Sequence, residues 1–173
     1  TSLTLNEAGQ LLFKNSGNEP ITIPLLNLDP EDTQRIEIGN DNDGNIIIAA
    51  ATDLTGTTAL RTISLTTLND GDITLGTPGT SGLPDLQKLS SIAIDASETG
   101  AITIGNLGGS TPVDNLSSLA MATKGAPINI GSINAKKINS IVVSGTEFSS
   151  INIGNTTIEE AILGFTLSGA GDI

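Results

Sequence analysis

The chain contains no cysteine, histidine, tryptophan or tyrosine, and its aromatic content is limited to Phe13, Phe148 and Phe165. Without Cys or His there is no thiol nucleophile, no imidazole base, no Ser-His-Asp triad and no ordinary structural zinc site. Basic residues are also scarce, 7 against 19 acidic ones for a net charge of −12. That balance excludes the clustered positive charge that nucleic-acid phosphates demand. Lys136 and Lys137 form the single adjacent basic pair and read as a solvated corner. No apolar run approaches the roughly 18 to 20 residues of a membrane span. The opening Thr1-Ser2-Leu3 has no basic signal-like region, so a mature product or an excised piece of a longer chain is expected. Lack of Cys fits either redox compartment.

What is present is a paired hydrophobic signal, an I-x-I-like strand, a polar bend and a second strand ten residues on, or nine in one pair. The anchor pairs are Ile36 and Ile46, Ile63 and Ile73, Ile92 and Ile102, Leu119 and Ile128, Ile141 and Ile151, and Leu163 and Ile173, with Leu3 and Phe13 as a seventh. Alternation places Ile, Leu and Val on one face and Ser, Thr and Ala on the other, which is a strand period and not a helical one. Self-similarity on this scale signals a repeat array. The returns vary in length but carry Leu83, Leu86, Leu107 and Val113, and Leu60, Leu89, Leu116 and Ile138 each precede an anchor by three residues. They read as a partly buried third side, with Thr157 to Leu163 as a candidate for a short helical turn.

A constant pair spacing beside variable returns favours an all-β parallel β-solenoid of about six to seven coils. The alternative is an antiparallel β-sandwich of repeated hairpins, since Asn69-Asp70-Gly71 is a good hairpin turn. Residues 1–173 form one β-strand-repeat domain, with 1–34 an irregular first repeat and 35–173 the regular ones. Ser168 to Ile173 matches Leu68 to Ile73, so the sequence stops at a second-strand anchor, as a segment of a longer array would.

Stacking in parallel would bring Asp43 and Asp70 into one column, with Asp41 and Asp72 beside them. Carboxylates so placed repel unless a proton or a hard cation intervenes, which makes Ca²⁺ the candidate ion. The EF-hand spacing fails, because Gly39 and Ala50 would fall at its first and last ligand positions. The structural alternative is that Asp and Asn are simply good turn formers. On the second strands Thr74, Thr103, Asn129 and Asn152 occupy one outward position and form a candidate face for a ligand or partner. Ordinary polar-out alternation explains the same ladder. Leu28-Asp29-Pro30-Glu31-Asp32 reads as a solvated loop. The three phenylalanines read as core fillers.

The segments Leu89-Ser-Ser-Ile-Ala-Ile-Asp-Ala-Ser, Gly100-Ala-Ile-Thr-Ile-Gly-Asn and Leu167-Ser-Gly-Ala-Gly-Asp-Ile173 resemble the β-strand repeats of bacterial surface-layer and RTX-type secreted proteins. That resemblance implies an extracellular, non-enzymatic role, calcium-dependent assembly and self-association, although no Gly-Gly-x-Gly-x-Asp nonapeptide occurs. The expected function is therefore a structural, self-assembling cell-surface segment whose partners are copies of itself or the rest of its array. A binding module of an adhesin or phage fibre, contacting glycan or host protein, is the alternative. A carbohydrate-active β-helix enzyme, using paired carboxylates, comes third.

Overall fold

In the computed structural model the described residues are 3–6, 10–23, 26–28, 35–48, 51–53, 60–76, 88–145 and 150–168. They form a parallel β-solenoid, and no helix occurs among them. One sheet holds β1 (Leu3–Asn6), β2 (Gln10–Asn15), β5 (Arg35–Asn40), β8 (Thr62–Thr67), β10 (Ser91–Ala96), β13 (Ser118–Thr123), β16 (Ile141–Ser144) and β19 (Phe165–Ser168), in that spatial order. The second sheet stacks β3 (Ile21–Ile23), β6 (Ile46–Ile48), β9 (Ile73–Leu75), β11 (Ile102–Ile104), β14 (Ile128–Ile130) and β17 (Ile151–Ile153). On the third side, β4 (Leu26–Leu28) pairs with β7 (Ala51–Asp53), and β12 (Val113–Leu116), β15 (Ile133–Ile138) and β18 (Thr156–Ile162) form a second small sheet.

Every described strand pairing is parallel except β1 with β2. The hairpin sandwich is therefore not the fold. Six rungs of the second sheet bound about five turns, slightly fewer than the spacing suggested.

Register explains the core. Leu11, Ile36, Ile63, Ile92, Leu119 and Ile141 stack as one buried column, and Phe13, Ile38, Leu65, Ile94, Met121 and Val143 as the next. The second sheet supplies Ile21, Ile46, Ile73, Ile102 and Ile128. The third side closes the interior with Leu60, Leu89, Leu116 and Ile138, as their position three residues before each anchor predicts. Each such side chain, taken from water, contributes roughly 1.5 to 3 kcal/mol, and a rung supplies several.

The bends between first and second strands are kept tight by a column at Gly44, Gly71, Gly100 and Ala126. A Cβ at Gly100 would stand 2.2 Å from the Gly71 carbonyl oxygen, and one at Gly71 would stand 2.8 Å from that of Gly44. The polar residues ending the first strands cap these bends from inside. Thr67 Oγ1 donates to the Gly71 carbonyl at 2.7 Å and Thr123 Oγ1 to that of Gly100 at 2.8 Å, both buried. The adjacent-rung amide of Asn40 reaches the Glu19 carbonyl at 3.1 Å.

Three expectations change. Leu3 and Phe13 are not the two strands of one coil; they face each other across the antiparallel β1–β2 pair. A ten-residue offset also arises across a hairpin, and the coil's own pair is Leu11 and Ile21. At the other end, Phe165 and not Leu163 aligns with Ile141. Leu163 lies in the corner before β19 and is 64% exposed. The segment expected to be a helical turn is strand β18, because it pairs in register with β15 apart from one irregularity between Ala135 and Lys137. Leu83, Leu86 and the terminal match ending at Ile173 lie outside the described residues.

Candidate functional site

The acidic bends fall where the spacing puts them. Gly39 and Asn40 pair with Thr66 and Thr67, and Ile46 with Ile73, so Asp43 and Asp70 hold equivalent places on neighbouring rungs, and Asn45 lies under Asp72. Their partners are protein groups. The Lys14 ammonium lies 3.0 Å from Asp41. Thr99 Oγ1 donates to Asp70 at 2.6 Å. The Asp72 backbone N–H donates to Asn45 Oδ1 at 2.9 Å, and the Asp72 carboxylate in turn accepts from the Ala101 N–H at 2.8 Å.

Asn106 repeats that device at the next corner, accepting from the Ser132 N–H at 2.9 Å. Side-chain oxygens at the corners thus take up backbone donors of the rung above, where the sheets no longer supply a partner. Asp43 is exposed. Among the described residues, no group of three or more acidic side chains is gathered as a metal cage. Asn139 Oδ1 is the buried side-chain oxygen without a partner among the described residues, and one amide oxygen falls short of the six to eight ligands that Ca²⁺ takes.

The outward position of the second sheet is a true column: Ile47, Thr74, Thr103, Asn129 and Asn152 are consecutive register partners. Thr74, Thr103 and Asn129 are half-buried and Asn152 is exposed. Asn152 Nδ2 donates to Asn129 Oδ1 at 2.9 Å, so amides at the far end of the ladder bond along the stack. One polar position per three-residue strand makes this face a single rank of hydroxyls and amides.

A groove of about 620 Å³, missed by the sequence reading, lies over the outer face of the first sheet, between Leu12, Lys14, Glu37, Asp41, Thr66 and Leu68. Leu12 is 38% and Leu68 42% exposed. Leu12 breaks the polar-out alternation of its strand, and that break was the available signal.

Charged side chains elsewhere pair across rungs. Lys124 meets Glu98 at 3.0 Å, and Lys136 meets Asp114 at 2.5 Å, so Lys136 belongs to a strand and not to a corner. Asp114, through that hydrogen bond and its charge, raises the Lys136 pKa above the ordinary 10.5, with Glu159 and Glu160 adding in the same direction. Of the phenylalanines, Phe13 is buried, Phe165 is half exposed and Phe148 lies outside the described residues. No helix among the described residues is long and apolar enough to cross a membrane.

Comparison with protein-family models, with curated proteins and with solved structures returned no match to this chain.

Proposed function

We propose that this chain is a structural, non-catalytic segment of a bacterial cell-surface protein, working at the cell exterior as a spacer that associates with copies of itself or with the rest of its array. The observation that carries the reading is the unbroken register of the first sheet from β2 to β19. Stacked rungs with buried Ile and Leu columns resist bending and leave strand edges at their ends, which is the equipment of a rod that joins to others. The resemblance to surface-layer and RTX-type repeats supplies the location. Calcium stabilisation belongs to this reading through the Asp43 and Asp70 column, flanked by Asp41 and Asp72.

Electron microscopy and light scattering of the purified chain, with Ca²⁺ and with a chelator, test both parts. Concentration-dependent assemblies are expected, melting higher with Ca²⁺. Assemblies and melting temperature unchanged by chelation would remove calcium, and a chain that stays monomeric throughout would remove self-association.

The groove at Leu12 and Leu68, together with the Thr74, Thr103, Asn129 and Asn152 ladder, favours a second reading as an adhesin or phage-fibre module for glycan or host protein. Glycan-array binding lost in Thr103→Ala, Asn129→Ala would establish it.

A further inference from the structure

The chain holds two Asp-Gly pairs, Asp43-Gly44 and Asp70-Gly71, and they occupy the same bend on neighbouring rungs. An aspartate followed by glycine has its side-chain carboxyl open to attack by the next backbone nitrogen, because glycine puts no side chain in the way. The two pairs share a sequence and a place in the coil, and they differ in what holds the carboxyl group.

Asp70 is held. Its carboxylate accepts from Thr99 Oγ1 of the next rung at 2.6 Å, and Asn69, at φ 59°, turns the chain tightly ahead of it. At the other bend the residues before Asp43 are tied and Asp43 is not. Asp41 meets the Lys14 ammonium at 3.0 Å, the Asn42 N–H donates to Asn40 Oδ1 at 3.2 Å, and the Asn42 amide donates to the Ser16 carbonyl. Asp43 is exposed and has no hydrogen-bond or ion-pair partner among the described residues. Gly44 lies between β5 and β6, outside both strand ladders, and its N–H has no backbone partner among the described residues. Electrophile and nucleophile are thus both unengaged at this bend.

We propose that Asp43 is a site of spontaneous isomerisation to isoaspartate, and that the Thr99 hydroxyl protects Asp70 from the same reaction. The Gly44 nitrogen attacks the carboxyl carbon of Asp43 in its neutral acid form. The N–C bond forms as the C–OH bond breaks, and the hydroxyl leaves with the amide proton as water. A water molecule then opens the five-membered imide. Cleavage at the former backbone carbonyl leaves the chain running through the side chain, with no oxidant, reductant or enzyme required. The product carries one extra methylene in the main chain, at a bend with no room for it. A Cβ on Gly44 would stand 2.5 Å from the Glu19 carbonyl oxygen, which accepts the Asn40 amide at 3.1 Å. Isomerisation at Asp43 therefore loosens this corner with age, whatever the chain associates with.

Ageing the purified chain in warm, mildly acidic buffer tests this, with a chelator present to keep Ca²⁺ off the bend. Isoaspartate is located by peptide mapping and by methyl transfer from labelled S-adenosylmethionine through isoaspartyl methyltransferase. The parent is compared with Thr99→Val and Asp43→Glu, each checked for native circular dichroism. Isoaspartate is expected at residue 43 about tenfold faster than at residue 70, the rate factor of one ordinary hydrogen bond. Thr99→Val should bring residue 70 close to the rate of residue 43 and leave residue 43 unchanged. The aged parent should melt below the fresh one, whereas Asp43→Glu, whose longer side chain closes such a ring slowly, should hold its melting temperature. Equal rates at the two bends of the parent, or no isoaspartate at residue 43 while the free peptide of residues 38–48 converts, overturns the proposal. A gap between the bends that survives in Thr99→Val overturns it as well.

Discussion

The middle rungs and the last rung share a sequence pattern but not a physical situation. Ile92 on β10 has a strand stacked on each side and is fully buried; Phe165 on β19, in the same column, has one and is half exposed. In a stack, each rung is stabilised by its own residues and by its two neighbours, so a terminal rung loses about half of its interface. The same hydrophobic letter therefore denotes core in one place and surface in another.

The sharpest way to break this comparison is to truncate both positions. Ile92→Ala should cost about 2 to 5 kcal/mol, the range for a buried large-to-small change, whereas Phe165→Ala in the monomer should cost less than about 1.5 kcal/mol. Urea unfolding of both variants at a concentration below any association measures the gap, and equal losses would mean that the end rung is as well covered as the middle.

The glycines give the next largest contrast. Gly100→Ala should cost about 1 to 3 kcal/mol, because its Cβ meets neighbouring backbone that cannot move aside. Gly164→Ala should lie within about 0.5 kcal/mol of the parent, its Cβ having only the Asn139 carbonyl oxygen at 3.4 Å. Ala126, in the same bend column as Gly100, marks a rung whose corner already accommodates a methyl group, so thermal melts of the two variants also test how local this tightness is.

Hydroxyl removal follows in size. Thr123→Val leaves the Gly100 carbonyl without its buried donor and should cost about 1 to 2 kcal/mol. Thr156→Val, on the end rung, removes an exposed 3.3 Å contact and should be near neutral in the same denaturant titration.

The smallest effect joins the two regions. Lys136 on the penultimate rung has a raised pKa through Asp114, with help from Glu159 and Glu160 of the last rung. A cation whose folded pKa lies above its unfolded value contributes stability below the unfolded value, and that contribution is lost as pH climbs through the folded one. Since the group is exposed, the alkaline decline should be slight. Lys136→Met should flatten it when stability is compared at neutral pH and above the lysine range.

Much of the fold could be read from the letters because strand alternation is a local property. The ten-residue pairing of Ile36 with Ile46 or Ile92 with Ile102 marks the same corner in every coil, and Leu60, Leu89, Leu116 and Ile138 mark the return. Errors arose where two geometries share a spacing. Leu3 and Phe13 match a coil pair by count, yet they are opposed across an antiparallel pair. Leu163 matched the 22-residue repeat preceding it, while Ile162, three residues before Phe165, carried the better signal for the anchor. The acidic bends were located correctly, but the donors that occupy them were not legible. Lys14 and Thr99 reach Asp41 and Asp70 from neighbouring rungs, and a linear pattern does not show what lies 27 or 29 residues away in the stack.

The letters alone carried the strands of the two main sheets, their inward and outward faces and the spacing of the coil pairs, though not strand β18, since side-chain alternation and glycine-bearing bends act within a few residues. That the strands stack in parallel, and which of the equivalent hydrophobic positions remain in contact with water, came from the tertiary structure. Those are properties of what lies on the next rung, and the hydrogen bonds and apolar contacts that fix them join register partners more than twenty positions apart, such as Leu119 with Ile141 and Ile63 with Ile92.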